Sequence, residues 1–367
     1  MTEINAITAD YSRGHTGAVH LFVGGKGFIA RNITTDPIRS ECYRGWDRKT
    51  IDGNIVSLHS GFCYRSGEEG GEVSVIALAS DGRIWDTRSK GDGDYQWFLN
   101  KDATKVLKLV VPKWAFEIDV PRFDENRKEQ RPDHVDVFAI DEHGALKHRM
   151  FWKSGHGDWH VFKAPAGTRF VDATAYYTAP NHIDVIGIDV GGGLHHWTSS
   201  GVMDDRIQWS ERLNEMDHAP RMRTLTGHYN RTSRRTELFG LGFHESALYH
   251  TWLEDGHWVD WTYGRSGAPR LHRMELGLLG TLNLVGLSPA GTLYRTRFDY
   301  DHGWLEWTVN FCRAPRNIKQ VAFGSRQLGL FALSRESADA AHSIHVIIPT
   351  NKGSDGYWKL APGLPPA

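Results

Sequence analysis

Twelve residues with side chains suited to chemistry lie near the ends of short apolar segments along the chain. Four of them can exchange protons or hydrogen bonds: His59, Lys113, His228 and Arg326. The other eight are aromatic: Tyr11, Phe62, Tyr64, Trp114, Phe116, Tyr176, Tyr177 and Tyr229. An aromatic cavity with a few convergent polar groups is what a small-molecule pocket requires. We therefore expect these residues to line one central pocket.

Such a pocket suits a cyclisation that needs no cofactor. Holding reactants in a reactive pose removes roughly 7 to 11 kcal/mol of barrier, and a donor aimed at a developing oxyanion adds about 2 to 4 kcal/mol. In this hypothesis the aromatic residues bind an apolar, oxygenated substrate, and the four polar residues are the catalytic donors. The sequence has no G-x-S-x-G, G-x-G-x-x-G or H-E-x-x-H motif, so we expect no covalent nucleophile, dinucleotide or metal.

The elements that position these residues form a repeat. A strand, a turn with glycine, a second strand and a tryptophan recur in units at residues 19–46, 73–97, 135–159, 183–209, 237–258, 282–304 and 328–358, and another short apolar segment precedes each unit. Four short strands per unit, at a spacing of about 45 to 60 residues, are typical of a β-propeller. The sequence predicts an all-β β-propeller of seven four-stranded blades, with six as the alternative, in a single domain over residues 1–367.

Three sets of equivalent positions follow from the repeat. The apolar core between blades is predicted at Ile29, Ile84, Leu146, Leu194, Leu248 and Leu293, each after a glycine or serine turn. The outer strands are marked by Trp46, Trp97, Trp159, Trp209, Trp258, Trp304 and Trp358, which we expect to pack as framework. Two residues after the core position stand Arg31, Asp86, His148, His196, His250 and Arg295. We expect these histidines to be hydrogen-bonded to an adjacent blade, since equivalent blade positions lie too far apart to share a metal.

The third unit contains a charged insertion at residues 118–134, with two prolines. Insertions on one loop of a repeat often lie on the binding face. The segment is a candidate lid over the central pocket.

The segments "VDVFAIDEHGALKHRMFW" and "LFGLGFHESALYHTWLEDGHWVDW" resemble the repeat of bacterial and fungal propeller lectins that bind fucose and related sugars. The resemblance covers nearly the whole chain and implies a propeller with sugar sites between blades. It leaves open a multivalent lectin for fucose or methylated sugars, in which Trp197 or Trp252 would stack on the sugar. The polar position drifts between units, however, and no Gly-Gly follows the last tryptophan of a unit, which favours one composite site.

Propellers similar to the fungal sugar-binding ones include the hetero-Diels-Alder cyclases of tropolone sesquiterpenoid biosynthesis. This resemblance of fold and pocket character implies a hetero-Diels-Alder-type cycloaddition, and we take it as the leading hypothesis, with the lectin as the alternative. A sialidase-like glycosidase ranks third, because "SKGDGDYQW" and "SGHGDW" are near misses for the Asp-box turn.

Composition narrows the partners. Lys and Arg total 43 against 44 Asp and Glu, so no charge excess favours nucleic acid or a membrane surface. The first residues lack a basic segment followed by an apolar core, and no apolar stretch approaches about 18 residues. Three widely spaced cysteines fit reduced thiols. We expect a cytoplasmic protein whose partner is a small-molecule substrate, or a glycan in the alternative.

Overall fold

The structure, a computed structural model, describes residues 3–11, 18–34, 43–64, 71–89, 95–100, 104–112, 134–152, 155–179, 182–200, 208–212, 216, 218–230, 233–243, 247–254, 256–263, 269–279, 281–299, 301–309, 314–323, 329–335, 342–347 and 359–360. In these residues the regular structure is all β, as the alternating sequence pattern predicts. Within the same ranges, no helical segment has the length and hydropathy that a membrane span needs.

Sheet 1 joins six antiparallel strands in chain order. They are β1 (Ile4–Tyr11), β2 (Val19–Thr34), β3 (Tyr43–Tyr64), β4 (Gly71–Ala79), β5 (Ile84–Ser89) and β6 (Tyr95–Asn100).

The other described strands form five further antiparallel sheets. Sheet 2 contains β7 (Val106–Val110), β8 (His134–Asp141), β9 (Leu146–Trp152), β10 (Gly155–His156) and β11 (His160–Val161). Sheet 3 contains β12 (Phe170–Ala179), β13 (His182–Asp189), β14 (Leu194–Ser200) and β15 (Gln208–Glu211). Sheet 4 contains β16 (Met222–Asn230), β17 (Arg235–Gly242), β18 (Leu248–Glu254), β19 (His257–Trp258) and β20 (Thr262–Tyr263). Sheet 5 contains β21 (Arg273–Leu279), β22 (Thr281–Leu287), β23 (Leu293–Asp299), β24 (Gly303–Trp304) and β25 (Thr308–Val309). Sheet 6 contains β26 (Ile318–Phe323), β27 (Leu330–Arg335), β28 (His342–Ile347) and β29 (Lys359–Leu360).

Successive antiparallel sheets of this kind confirm the all-β β-propeller class, but the predicted number of seven blades is wrong. The described strands form six sheets because β2 and β3 join the first two repeat units into one. Residues 19–25 of β2 pair with β1, whereas residues 26–34 pair with β3. Strand β3 in turn also pairs with β4. Two predicted blades therefore share a single hydrogen-bonded sheet.

The chain divides into two compact units. The first comprises residues 1–62, 68–105 and 273–367, and the second comprises residues 63–67 and 106–272. Sheets 2, 3 and 4 belong to the second unit, and sheets 5 and 6 belong to the first. The expected single domain over residues 1–367 stays a prediction. The insertion predicted at residues 118–134 lies outside the described residues except for His134.

The core of each unit lies between successive sheets. In the second unit, Phe138 and Leu146 of sheet 2 pack with Val185 of sheet 3 in one buried cluster. In the first unit, sheets 5 and 6 share a buried cluster in the same way. Five of the predicted core residues are buried and Leu194 is half-buried: Ile29, Ile84, Leu146, Leu248 and Leu293 are at most 5% exposed. Each such side chain contributes roughly 1.5–3 kcal/mol when it leaves water.

The turns that precede these core residues need glycine for a physical reason. Gly144 and Gly192 have φ angles of 80° and 82°, in the left-handed region. A Cβ on Gly144 would lie 2.8 Å from Cβ of Arg169, and one on Gly192 would lie 3.0 Å from Cβ of Arg221. Glycine therefore permits both the turn and the close approach of the next sheet.

Candidate ligand-binding site

Four sheets place a polar pair on one face, with one residue on the second strand of the repeat and one on the third. The pairs are Asp136 with His148, Asp184 with His196, Glu237 with His250, and Asn283 with Arg295. Side chains alternate between the two faces of a strand, so the polar residue shares its face with the core residues two positions away. His148 and His250 thus donate to a carboxylate of their own sheet, which the prediction of a hydrogen bond to an adjacent blade did not include. His196 lies 3.5 Å from the carboxylate of its own sheet and also has the predicted hydrogen bond to an adjacent sheet, from Trp258.

The pair in sheet 2 is buried under side chains of sheet 3. Asp136 is 1% exposed, and its carboxylate accepts hydrogen bonds from Nε2 of His148 and from Oη of Tyr177 in sheet 3, each at 2.7 Å. The indole of Trp209, also from sheet 3, lies 5.2 Å from the ring of His148. Burial alone would raise the pKa of Asp136, but the charges and hydrogen bonds of His134 and His148 outweigh it and hold that pKa below its ordinary value. This carboxylate is a structural anchor.

The pair in sheet 3 is likewise buried, with an indole from the next sheet packed against its histidine. Asp184 and His196 are 2% and 1% exposed. Trp258 of sheet 4 donates from Nε1 to Nδ1 of His196 over 3.4 Å, and the two rings lie 5.8 Å apart. Trp209 and Trp258 therefore pack on the preceding sheet, which agrees with their predicted role as framework residues.

In sheet 1 the position of the carboxylate is taken by a histidine. His20 contacts Oη of Tyr95 at 3.1 Å, and the guanidinium of Arg31 lies 4.1 Å above the Tyr95 ring. Burial, assisted by the charges of Arg31 and Arg44, lowers the pKa of His20 to about 3. His20 is thus a neutral, enclosed side chain at physiological pH.

The pair in sheet 4 is more open, and it belongs to a larger polar group. Glu237 is fully buried, whereas the side chains of His250 and Arg235 are 13% and 24% exposed. Nε2 of His250 and Nε of Arg235 donate to the two carboxylate oxygens at 2.6 and 2.8 Å. Asn230 and Ser233 donate to Oε1 at 3.3 and 3.2 Å. Burial raises the pKa of Glu237, but His250 and Arg235 outweigh it and keep that pKa below its ordinary value.

An aromatic wall completes this group. Glu237 stands directly opposite His228 on β16 and Trp252 on β18, so the three side chains share one face. The guanidinium of Arg235 lies 4.3 Å over the Trp252 ring, and the His250 ring lies 5.4 Å from it. We call the set Asn230, His228, Ser233, Arg235, Glu237, His250 and Trp252 the Glu237 cluster. It offers hydrogen-bond donors and an apolar surface to a ligand with hydroxyl groups.

The sequence prediction reached only part of this cluster. It named His228 as a candidate and placed His250 in the repeat, but it missed Glu237 and Arg235. The available signal was a polar residue inside each apolar second strand, as in "VDVF", "IDVI" and "TELF", 12 or 13 residues before the histidine.

The remaining candidates for the central pocket have separate positions. His59 is half-buried on β3, with Nε2 2.5 Å from Oγ of Ser57. Tyr176 is 2% exposed and packs in the apolar cluster between sheets 3 and 4, while Tyr177 is 4% exposed and donates to Asp136. Tyr229 points to the face of sheet 4 opposite to His228.

The other predicted pocket residues are not described in full. Tyr11, Phe62 and Tyr64 lie in strands whose backbone is described without these side chains, and Lys113, Trp114, Phe116 and Arg326 lie outside the described residues. The single central pocket therefore stays a prediction. In the described part of the chain, no group of three or more potential metal ligands is found.

Comparison with known proteins finds similar solved structures but no sequence match. No protein-family model matches the chain, and no curated protein matches it in sequence. The structure is similar to the Aleuria aurantia lectin in complex with Fucα1-6GlcNAc, with 10% identity over 84% of this chain and 95% of the lectin and a TM-score of 0.47. The SapL1 lectin in complex with α-methyl fucoside is 14% identical over 84% of this chain and 97% of that chain, with a TM-score of 0.47. AofleA from Arthrobotrys oligospora is 12% identical over 84% and 86%, with a TM-score of 0.48.

The solved structures to which this chain is similar include two lectins in complex with fucosides. At 10–14% identity the likeness concerns the fold alone. Function has to be inferred from the side chains of this chain.

Proposed function

We propose that this protein binds a carbohydrate through the Glu237 cluster. The observation that supports the proposal most directly is a buried carboxylate held by Arg235 and His250 on a partly exposed face beside Trp252. Sugars present closely spaced hydroxyl groups on an apolar ring. A binding site for them needs fixed hydrogen-bonding groups next to an aromatic surface, and this cluster supplies both.

The cluster is organised so that the ligand meets its donors rather than its carboxylate. A guanidinium has five N–H groups, and the hydrogen bond from Arg235 to Glu237 uses only the one on Nε. The Arg235 side chain is 24% exposed and Glu237 is fully buried, so a ligand approaches the guanidinium rather than the carboxylate. Glu237, fully buried, fixes Arg235 and His250 in place and limits the entropy lost on binding.

Charge balance favours a neutral ligand at this site. The carboxylate of Glu237 is matched by the guanidinium of Arg235 at 2.8 Å, so the pair carries no net charge. Fucose and methylated sugars are the neutral ligands that the resemblance to propeller lectins implies. The cycloaddition hypothesis and the sialidase-like hypothesis stay predictions, since most residues of the predicted central pocket lie outside the described side chains.

The test begins with a glycan array that includes fucosylated and methylated sugars, followed by calorimetry with the best ligand. Trp252→Ala removes the aromatic wall and should weaken binding about tenfold, which corresponds to roughly 1.4 kcal/mol. Tyr263→Ala is the matched control, because Tyr263 is 67% exposed and pairs with Tyr249 on the opposite face of the same sheet. The control should bind within about twofold of the wild type.

Two results would remove the proposal. The first is an array on which the folded wild-type protein binds no glycan. The second is equal affinity in the Trp252 and Tyr263 variants, which would place any sugar site elsewhere.

A further inference from the structure

Exposed arginines recur at one end of sheets 3 and 4. Arg169, Arg221 and Arg270 are exposed, and each directly precedes a buried apolar residue. These buried residues, at most 4% exposed, are Phe170 of β12, Met222 of β16 and Leu271 shortly before β21. The three arginines form no side-chain hydrogen bond or ion pair within the described part of the chain. Each therefore combines an anchored backbone with a side chain that is open to solvent.

Backbone contacts bring two of these arginines to one turn. In the turn between β13 and β14, the N–H of Val190 donates to the carbonyl oxygen of Arg169 at 2.9 Å. A Cβ on Gly192 of the same turn would lie 3.0 Å from Cβ of Arg221. At the start of the turn between β17 and β18, the N–H of Phe243 donates to the carbonyl oxygen of Arg221 at 2.9 Å. Arg169 and Arg221 therefore flank the turn of sheet 3.

A fourth arginine extends the series. Arg223 on β16 donates from its guanidinium to the carbonyl oxygen of Leu271 at 2.5 Å, which places it beside Arg270. Burial and the positive charge of Arg270 both lower the pKa of Arg223 below its ordinary value. Nε of Arg223 is buried and has no hydrogen-bond partner among the described residues. We call Arg169, Arg221, Arg223 and Arg270 the arginine row.

Carboxylates at this end offset the arginine row only in part. The described turns and strand ends beside the row carry four of them: Asp141, Glu142, Asp172 and Asp189. Lys147 forms an ion pair with Asp141. Lys108 forms an ion pair with Asp172. Glu142 and Asp189 also keep their charges, which leaves two negative charges against the four arginines.

The connections that lead into these strands add to the positive charge. Residues 162–169, 212–221 and 264–272 contain six Lys and Arg but only two Asp and Glu. The turn of sheet 4 adds one further carboxylate, Glu245, which lies outside the described residues. Positive charge therefore predominates in these segments, although Lys and Arg total 43 against 44 Asp and Glu over the whole chain.

Apolar side chains are exposed among the arginines. Val190 and Phe243, whose N–H groups bind the backbone of the arginine row, are 54% and 41% exposed. Val171 is 48% exposed and lies at a bulge in the pairing of β12 with β13, where it has no residue opposite. Leu107, at the corresponding bulge of β7, is 55% exposed. Exposed apolar residues that are grouped and bordered by polar ones mark an interaction site.

We propose that this end of sheets 3 and 4 binds the surface of a membrane that contains anionic lipids. The negative headgroups of such a surface attract arginine side chains, and apolar side chains beside them enter the boundary between headgroups and acyl chains. A soluble polyanion would contact the arginines but would not bury Val171, Val190 and Phe243. The exposed apolar residues therefore favour a lipid surface.

The proposed membrane site is separate from the Glu237 cluster and does not rest on the proposed function. Met222 pairs with Gly242 at the end of β16 that carries the arginine row, and Asn230 pairs with Arg235 at the other end. The eight residues of strand between Met222 and Asn230 place these ends roughly 25 Å apart. A protein bound in this way would hold the Glu237 cluster away from the lipid surface.

Sedimentation with lipid vesicles tests the proposal. The full chain is mixed with vesicles of phosphatidylcholine, either alone or with about one third phosphatidylserine, at low and at high salt. The vesicles contain no glycolipid, so sugar binding cannot contribute. We expect binding to the anionic vesicles to be at least about tenfold tighter at low salt, and salt to reduce the difference. Arg221→Gln and Arg270→Gln should each weaken binding to the anionic vesicles about fivefold.

Two further variants complete the design. Arg234→Gln is the matched control, because Arg234 is an exposed arginine at the opposite end of sheet 4, and it should bind within about twofold of the wild type. Val190→Ser keeps every charge and should weaken binding about threefold, because an apolar contact with the lipid is lost.

Three results would overturn the proposal. The first is equal sedimentation of the wild type with the two kinds of vesicle at low salt. The second is unchanged binding in both Arg221→Gln and Arg270→Gln. The third is loss of binding in these two variants with unchanged binding in Val190→Ser, which would indicate a soluble polyanion as the partner instead of a lipid surface.

Discussion

Replacing Asp136 by alanine tests the closed acid–histidine pairs most sharply. In Asp136→Ala, Nε2 of His148 and Oη of Tyr177 lose the acceptor that each reaches at 2.7 Å, and His134 loses its ion-pair partner. Each buried donor left without an acceptor costs about 1–3 kcal/mol, and breaking a buried charge pair costs about 3–5 kcal/mol. The loss of two hydrogen bonds, at about 1–3 kcal/mol each, gives about 2–6 kcal/mol, which includes this range. We therefore expect the free energy of unfolding to fall by about 3–5 kcal/mol.

Urea unfolding followed by circular dichroism measures this loss. Asp136→Asn keeps the shape and one acceptor oxygen and should lose less, about 1–3 kcal/mol. Because the folded pKa of Asp136 lies below its ordinary value, the stabilisation by the carboxylate is present above the unfolded pKa of about 3.9 and is lost as the pH falls below it. The difference between the wild type and Asp136→Asn should narrow towards acid pH.

A double-mutant cycle then identifies the partner. Tyr177→Phe should cost about 1–2 kcal/mol in the wild type and close to nothing in Asp136→Ala, because its acceptor is already gone. Two results would refute the assignment of Asp136 as an anchor between sheets 2 and 3. One is a fall in the free energy of unfolding of less than about 1 kcal/mol on changing Asp136 alone to alanine. The other is an equal effect of Tyr177→Phe in the wild type and in Asp136→Ala.

Two further predictions concern stability. His20 has a folded pKa of about 3, so only the unfolded chain takes up its proton below about 6.5, and stability from this residue is lost as the pH falls. Between pH 6.5 and 5 the free energy of unfolding should fall by roughly 2 kcal/mol because of this residue. Urea unfolding of His20→Gln should show no such fall. An imidazole resonance of His20 that titrates near pH 6.5 would contradict the prediction. Gly256→Ala and Gly192→Ala form a matched pair with φ angles of 81° and 82°. The first should cost about 1 kcal/mol from backbone strain alone, whereas the second should cost at least about 1 kcal/mol more because its Cβ would meet Arg221. Equal losses of thermal stability in the two variants would show that Arg221 moves away from the new Cβ at no measurable cost.

The repeat made much of the framework predictable. Alternation and the glycine or serine turns located Leu146 and Leu248 in the core, and the repeat predicted that Trp209 and Trp258 pack as framework. Their packing on the preceding sheet is seen only in the structure. The number of sheets was not predictable in this way. Whether β2 and β3 continue from one unit into the next depends on backbone hydrogen bonding, which side-chain patterns do not determine.

The candidate site was predictable only in halves. His148 and His250 occupy the same place in the repeat, so the sequence predicts the same environment for both. Their environments differ because Trp209 comes from another sheet and covers His148, whereas His250 retains some exposure. The carboxylate partner was missed because it is diagonal to the histidine across two strands, and a diagonal contact requires the register: His148 stands opposite Phe138, two residues from Asp136.

The contact between β1 and sheet 6 has a consequence for synthesis. The backbone N–H of Ile7 donates to Oε1 of Gln320 at 3.2 Å, across 313 residues of sequence. The backbone N–H of Ile4 donates to Nδ1 of His342, which also belongs to sheet 6, across 338 residues of sequence. As the chain leaves the ribosome, β1 emerges more than 300 residues before the strands of sheet 6 that it contacts, so its packing is completed only after they appear. During that interval its apolar face is open to strands of neighbouring nascent chains, so chaperone binding should concentrate on residues 4–11.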